Sequence, residues 1–492
     1  MCYNVLFKTA IFDEVIPLYK ITPENDHQAL DNTIRSYIKL VHQQNENCNS
    51  IPGHYFSDFN VKRGLRNADG TGVLAGLTTI GEVHGYVLDE GNKAPVEGKL
   101  RYRGIDVEDI VANCQKEHRF GFEETVFLLT FGFLPDRGTL ERFTKTLASR
   151  RNLPAEFTED MIFKAPSSNI MNKLARCVLA LYSYDDNPDG TTVTNLLRQS
   201  LDLIARFPVL VADAFSCKRH YYDGESLVLH NPNPELSVAE NFLYMIRPDN
   251  QYTPLEAEVL DLSLILQAEH GGGNNSAFAV RVLSSTGTDT YSAIAAAVGS
   301  LKGPKHGGAN AKMLAQMEEI KANVKNWKDE AEVLEYLKKI LRKEAGDGKG
   351  LIYGMGHAVY TISDPRTVIL KEKARELSEV TGYQAEFELH DLVQRLAPQA
   401  FREEKGLEKD ICANVDFYSG FVYQMMGLPQ DLYTPIFAMS RIVGWCAHRI
   451  EEIMTSSRIL RPAYKTVTKR LPYTPMDERA PLNFGGDDSN LF

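Results

Sequence analysis

Cysteine is scarce and scattered in this 492-residue chain. Cys2, Cys48, Cys114, Cys177, Cys217, Cys412 and Cys446 are odd in number and none forms a CxxC pair. That pattern argues against a disulfide framework or a zinc ribbon and fits a reducing compartment, so a cytoplasmic location is expected. Positive charge is also short, with 54 Lys and Arg against 65 Asp and Glu and a net charge of −11. The balance disfavours nucleic acid as a whole-protein partner, while leaving room for a local basic pocket that binds a small anion. Long apolar runs are missing: stretches such as 293–298 are far too short to span a bilayer, so no membrane partner is expected. Asp13 and Glu14 stand where a secretory signal would carry a basic region before a long apolar run, so no signal is expected. The chain carries no P-loop, HExxH or GxSxG motif. Gly354-Met355-Gly356 starts like a dinucleotide fingerprint, but Val359 stands where the third glycine belongs.

What is present is mostly helix. The length predicts at least two domains. Residues 1–60 read as a separate N-terminal extension, with Leu30, Ile34, Ile38 and Val41 at helical spacing in 26–42. Between 73 and 105 strand-forming residues flank an Asp-Glu-Gly-Asn turn, which predicts a β-hairpin. Helices are predicted at 122–133, 167–184, 194–215 with a kink at Pro208, and 254–270 with Thr253 as cap and Pro254 in the first turn. The last is apolar nearly all round, hence buried. A small-residue helix leads into His306. Shorter, charge-rich amphipathic helices follow at 309–324, 330–344, 365–381 and 387–396. Apolar character returns from Phe417, and a buried helix is predicted from Thr434-Pro435 to about Met454. The closing GGDDSNLF reads as a disordered tail. The expected fold is mainly α: a large helical domain (61–305 and 417–492) with a smaller helical domain (306–416) inserted and a short β-hairpin near its N-terminal part.

Chemistry gathers at a few positions. His270 is expected to end an apolar helix, stopped by Gly271-Gly272-Gly273, where the helix dipole favours a protonated imidazole suited to an anionic ligand. His306, in GPKHGG, is expected to precede a helix, where the dipole favours a neutral ring able to donate N–H to a developing enolate oxygen. His357 lies in YGMGHAVY, with Arg366 just beyond Asp364-Pro365. Asp416 lies between Val415 and Phe417, an apolar setting that raises a carboxyl's pKa and its basicity. Arg441 interrupts the apolar run PIFAMSRIVGW, and a buried guanidinium requires a partner, from the protein or from a ligand. Arg461, in ILRPAY, could reach a neighbouring surface. Each residue also has a plain structural reading, as a helix cap, a turn residue or a solvated charge. Together they suit a small polyanion held by arginines beside acid–base chemistry at a carbonyl.

At that point the chain resembles the citrate synthase family. The resemblance rests on EGKLRYRGIDVEDI, AEHGGGNNSAFAVRV, LKGPKHGGAN, YGMGHAVYTISDPR, NVDFYSG, FAMSRIVGW and LRPAY, in the family's order between Glu97 and Tyr464. It implies condensation of acetyl-CoA with oxaloacetate through an enol, then hydrolysis of citryl-CoA. By resemblance, Asp416 is the base for the methyl proton, His306 the donor to the enol oxygen and His357 the group that polarises the ketone. His270, Arg366, Arg441 and Arg461 would bind oxaloacetate, Arg461 from the partner subunit of a homodimer. The position after the GH histidine is Arg in some members and is Ala358 here. No metal or cofactor is implied, the CoA thioester being a substrate. A 2-methylcitrate synthase using propionyl-CoA is the alternative, followed by a catalytically silent ligand-sensing homologue.

Overall fold

A computed structural model describes residues 51–67, 70–89, 92–407, 410–455 and 458–480. The helix expected at 26–42 and the tail from 485 lie outside the described residues. The chain divides into two compact units, Ala68–Pro462 and a smaller one of the residues before and after it. In the smaller unit, a one-turn helix α1 (His54–Asp58) precedes Phe59, whose ring centre lies 5.7 Å from the ammonium of Lys465.

The larger unit is helical around one small sheet. Strands β1 (Gly81–Asp89), β2 (Asn92–Tyr102) and β3 (Ile105–Asp106) pair antiparallel in that order. The hairpin is where the sequence predicts it, and the third strand is an addition. The helices are α2 (Val107–Lys116), α3 (Phe122–Phe131), α4 (Arg137–Ser149), α5 (Ile170–Leu181), α6 (Val193–Asp223), α7 (Val238–Ile246), α8 (Pro254–Gln267), α9 (Asn275–Ser284), α10 (Thr290–Lys302), α11 (Ala309–Asn323), α12 (Glu330–Arg342), α13 (Pro365–Thr381), α14 (Gln384–Lys405), α15 (Asp416–Met425) and α16 (Tyr433–Thr455). Two exceed their expected length. Helix α6 runs through Pro208 and α14 runs through Pro398. At α6 the neighbours Phe207 and Val209 are buried with the proline, so packing compensates for the missing N–H.

Helix α8 shows how sequence places the centre of the fold. Thr253 Oγ1 accepts from Glu256 N–H while the Glu256 carboxylate accepts from Thr253 N–H, a reciprocal cap, and Pro254 needs no donor there. Val259, Leu260, Leu262, Leu264, Ile265 and Leu266 are all buried, so the helix is enclosed on every side from Val259 onward, while Pro254 and Glu258 in its first turns are exposed. It lies against α16, where Ser440 Oγ donates to Leu264 O. The helix ends at Gln267, a turn short of His270. The buried Tyr102 of β2 donates its hydroxyl to Ile265 O at 2.8 Å, satisfying a carbonyl of the last turn.

The segment that carries His357 is docked on the hairpin. Tyr360 donates to Lys99 O at 3.4 Å and Gly98 N–H donates to Ser363 Oγ at 3.2 Å. A Cβ on Gly98 would overlap the Ser363 carbonyl, and one on Gly85 would lie 2.9 Å from Val359 O. The other side of the same segment is stitched to the run before α15. Gly356 N–H donates to Cys412 O and Asn414 N–H to Gly354 O, both at 2.8 Å. Gly98→Ala is expected to lower unfolding stability by about 1–3 kcal/mol, since the contact is to backbone that cannot rotate away. Urea denaturation checks this; an unchanged midpoint would contradict the close approach.

Candidate active site

Three connecting segments meet beside α16: the turn after α8, the turn before α11 and the docked loop 354–364. They bring His270, His306 and His357 together with Arg366, Asp416 and Arg441. The rings of His270 and His357 lie 5.1 Å apart edge to face, and His357 stacks on Tyr360 at 4.6 Å. His306 lies edge-on to Phe437 at 6.3 Å, and the Arg441 guanidinium covers the same Phe437 ring at 4.8 Å.

The protonation states follow from burial and from the cations. The His270 ring is held well below its ordinary pKa, first by burial and then by Arg366, His357 and Arg441. This corrects the expectation of a charged His270. The helix dipole contributes up to about 1 kcal/mol at such a place and cannot match desolvation plus neighbouring positive charge. His270 Nε2 is shielded from water and makes no hydrogen bond among the described residues. His306 is lowered to about 4, by burial and by Arg441. Its expected neutrality holds, with burial rather than the helix dipole as the main cause; α11 starts three residues later. The His357 ring accepts at Nδ1 from the N–H groups of Val359 and Tyr360, both at 3.1 Å. In the neutral form its proton therefore sits on Nε2, which makes that nitrogen a donor.

Asp416 opens α15. Burial raises its carboxyl to about 6, against the opposing pull of Arg366 and Arg441. Arg366 is buried, and Asp364 takes its Nε at 3.0 Å and Nη2 at 2.6 Å, so Nη1 has no part in that pair. Arg441 is buried too. Its Nε donates to Gln267 O at 2.6 Å, but Nη1 and Nη2 have no hydrogen-bond partner among the described residues. Arg461 stands apart, exposed beyond the end of α16 and joined to none of these groups.

Sequence reasoning misses several residues that hold the site. Ser276 Oγ lies 3.1 Å from His306 Nε2 and accepts the indole N–H of Trp445 at 3.0 Å. Glu269 is fully buried, and its Oε1 accepts from His448 Nε2 at 2.9 Å. Trp445 and His448 lie on α16, 169 and 179 residues along from their partners, and no local pattern connects them. Among the described residues no cluster of His, Cys, Asp or Glu is arranged to hold a metal ion.

A carboxyl raised to about 6, two neutral imidazoles and two guanidinium nitrogens without a partner among the described residues suit acid–base chemistry on a small anion. Comparison with known proteins gives its kinship. Residues 68–463 match the citrate synthase, C-terminal domain, family. The chain is 35% identical to a citrate synthase of Haloferax volcanii over 78% of this chain and 93% of that protein. It is 32% identical to 2-methylcitrate synthase 1 of Corynebacterium glutamicum over 86% of this chain and 100% of that protein. Among solved structures, the citrate synthase of Thermoplasma acidophilum in ternary complex with carboxymethyl coenzyme A and oxaloacetate aligns with TM-score 0.69 and 27% identity, covering 85% of this chain and 99% of that one. The protein belongs to the citrate synthase family, whose members are acyltransferases that convert the acyl group into an alkyl group on transfer.

The raised Asp416 carboxyl has a consequence for stability. Below about pH 4 it is protonated in folded and unfolded chains alike and costs nothing. Between about pH 4 and pH 6 only the unfolded form ionises, so folding stability falls as pH rises. Above pH 6 the folded protein carries the full cost, about 2–3 kcal/mol. Asp416→Asn is thus expected to be more stable than wild type at pH 7.5 and near wild type at pH 4, as read by urea unfolding at both pH values. A variant less stable at pH 7.5 would overturn the assignment.

Proposed function

We propose that this protein is a citrate synthase, condensing acetyl-CoA with oxaloacetate and hydrolysing citryl-CoA to citrate and CoA. The observation that carries this reading is Arg441, a buried cation whose two terminal nitrogens have no partner among the described residues, in a cleft that also holds a carboxyl raised to about 6. A ligand carboxylate satisfies both nitrogens in the bidentate geometry that guanidinium favours. The relatives named above support the chemistry around it.

In the proposed mechanism Arg441, Nη1 of Arg366 and His270 hold oxaloacetate, and Arg461 of a second copy completes the set in a homodimer. Ionised Asp416 takes a methyl proton from acetyl-CoA. An ordinary aspartate, with a pKa of about 3.9, is a weak base for that proton. The raised carboxyl narrows the gap, and a hydrogen bond from neutral His306 to the thioester oxygen stabilises the enol as it forms. For His306 to donate from Nδ1, Nε2 must accept, which requires the Ser276 hydroxyl hydrogen to turn from Asn274 Oδ1, at 2.9 Å, onto Nε2, at 3.1 Å. His357 donates its Nε2 proton to the ketone oxygen of oxaloacetate as the enol carbon attacks. Residues 306–416 are proposed to form the inserted small domain, closing over the cleft to keep water from the thioester until condensation. The scheme requires no metal or cofactor. The described cysteines are free, which supports a cytoplasmic setting, and no described helix is long and apolar enough to cross a membrane.

The second reading, 2-methylcitrate synthase, is favoured by the Corynebacterium glutamicum relative. One methylene discriminates by about 1–3 kcal/mol, so the two acyl donors must be compared directly. Release of CoA from acetyl-CoA with oxaloacetate is expected to exceed that from propionyl-CoA. Dominant propionyl-CoA use replaces the first reading by the second, and no release from either sinks both in favour of a silent homologue. Asp416→Asn is expected to reduce exchange of the acetyl-CoA methyl protons by about 10²–10⁴-fold while oxaloacetate still binds. Mixed dimers of Arg461→Ala with Asp416→Asn test the crossing arginine: one fully active site per dimer is expected if Arg461 serves the partner.

A further inference from the structure

Arg441 has an obvious internal partner that it does not use. Glu269 is a buried carboxylate whose negative charge is the largest protein influence holding up the Arg441 cation. Its Oε2 is buried with no hydrogen-bond partner among the described residues, as are Arg441 Nη1 and Nη2. The two orphans are close. Arg441 Nε is bonded to Gln267 O, two residues before Glu269. Glu269 Oε2 lies against Gly444, where a Cβ would overlap it, and Gly444 is one turn along α16 from Arg441. A buried ion pair between them would satisfy both groups, yet none forms.

The reason lies on the other side of Glu269. Its Oε1 accepts from Gly271 N–H and from His448 Nε2. His448 Nδ1 lies 2.7 Å from Arg281 Nη2. A guanidinium only donates, so Nδ1 accepts and the His448 proton is fixed on Nε2, facing Glu269. Arg281 is itself held by Glu451 and by Glu452, the latter at 3.0 Å, and Glu451 is anchored by the N–H and hydroxyl of Thr79 at 2.6 and 2.8 Å. Gly272 lies over the relay, and a Cβ there would come within 3.1 Å of Arg281 Nε.

We propose that the Arg281–His448–Glu269 relay is a restraint that holds Glu269 off Arg441, so that the guanidinium stays empty for the substrate carboxylate. The proposal rests on the reading of Arg441 as an oxaloacetate ligand. His448 and Arg281 are positioning residues in it: they act through Glu269 and touch no substrate. Releasing the restraint lets Glu269 turn onto Arg441 and compete with the ligand.

The test is second-site rescue, read as the oxaloacetate Kd by calorimetry alongside the KM for each substrate. His448→Asn keeps an acceptor for Arg281 at the Nδ1 position but removes the donor to Glu269. It is expected to weaken oxaloacetate binding by about tenfold or more, the scale of one lost charge-assisted contact, while the acetyl-CoA KM changes by less than about twofold. Adding Glu269→Gln, which cannot pair with Arg441 as an anion, is expected to restore oxaloacetate binding to within about threefold of wild type. His448→Gln, whose amide reproduces the Nε2 donor, is expected to bind like wild type. A merely structural role gives the opposite order, with the double variant weaker than His448→Asn, and that result overturns the proposal. If His448→Asn does not fold, Glu269→Gln alone decides: affinity equal to or tighter than wild type is expected, and a loss beyond about threefold refutes the restraint. Wild-type protein that binds no oxaloacetate would instead refute the function and the restraint with it; normal wild-type binding without rescue refutes the restraint alone.

Discussion

The structure depends on how one buried guanidinium is accommodated. Arg441 sits in the middle of α16, whose residues around it are almost all apolar and enclosed. A cation there is costly unless its hydrogens are used. One is given to the last turn of α8, at Gln267 O, and this bond, with Ser440 to Leu264 O, registers α16 against α8. The register in turn places Gly444 against Ala268 and Glu269, His448 opposite Glu269 and Trp445 opposite Ser276. The turn that carries His270 and the hydroxyl that steadies His306 are therefore fixed from the same helix face. Fold and site are not separable here: the arginine that the site needs is also the one that sets the packing.

Much of this is legible in the residues. Periodicity and caps locate α8 at its N-terminus, α13 throughout and the hairpin, because those signals are local. An arginine inside PIFAMSRIVGW announces an unmet demand for a partner, and the structure leaves that demand open. An aspartate between Val415 and Phe417 announces a raised carboxyl, and burial raises it to about 6. What a sequence does not display is anything decided by residues far apart along the chain. The charge expected on His270 fails because the helix end is visible in the sequence and the surrounding arginines are not; desolvation and the cationic neighbours outweigh a dipole effect of up to about 1 kcal/mol. Glu269 and Arg281 lie within AEHGGGNNSAFAVRV and His448 beyond FAMSRIVGW, with nothing local to link them, and their connection appears only when α9, α16 and the turn after α8 come together in space. Helix α14 outruns its expected end at residue 396 and continues through Pro398 to Lys405, where tertiary packing outweighs the missing N–H.

The charges of the site also explain how substrate and base are linked. Arg366 and Arg441 both pull the Asp416 carboxyl down, while burial pushes it up. A dianion bound between the arginines cancels much of that pull and adds negative charge nearby. Asp416 must then become a stronger base than it is in the free protein. The proposed closure would act in the same direction by removing water. The same anion also offsets the Arg441 contribution to the low pKa of His306, while burial, the larger cause, still holds that ring neutral. On the proposed reading, oxaloacetate therefore makes Asp416 a stronger base, while burial keeps His306 neutral. In the proposed mechanism the arginines beside Asp416 thus couple recognition of one substrate to activation of the other.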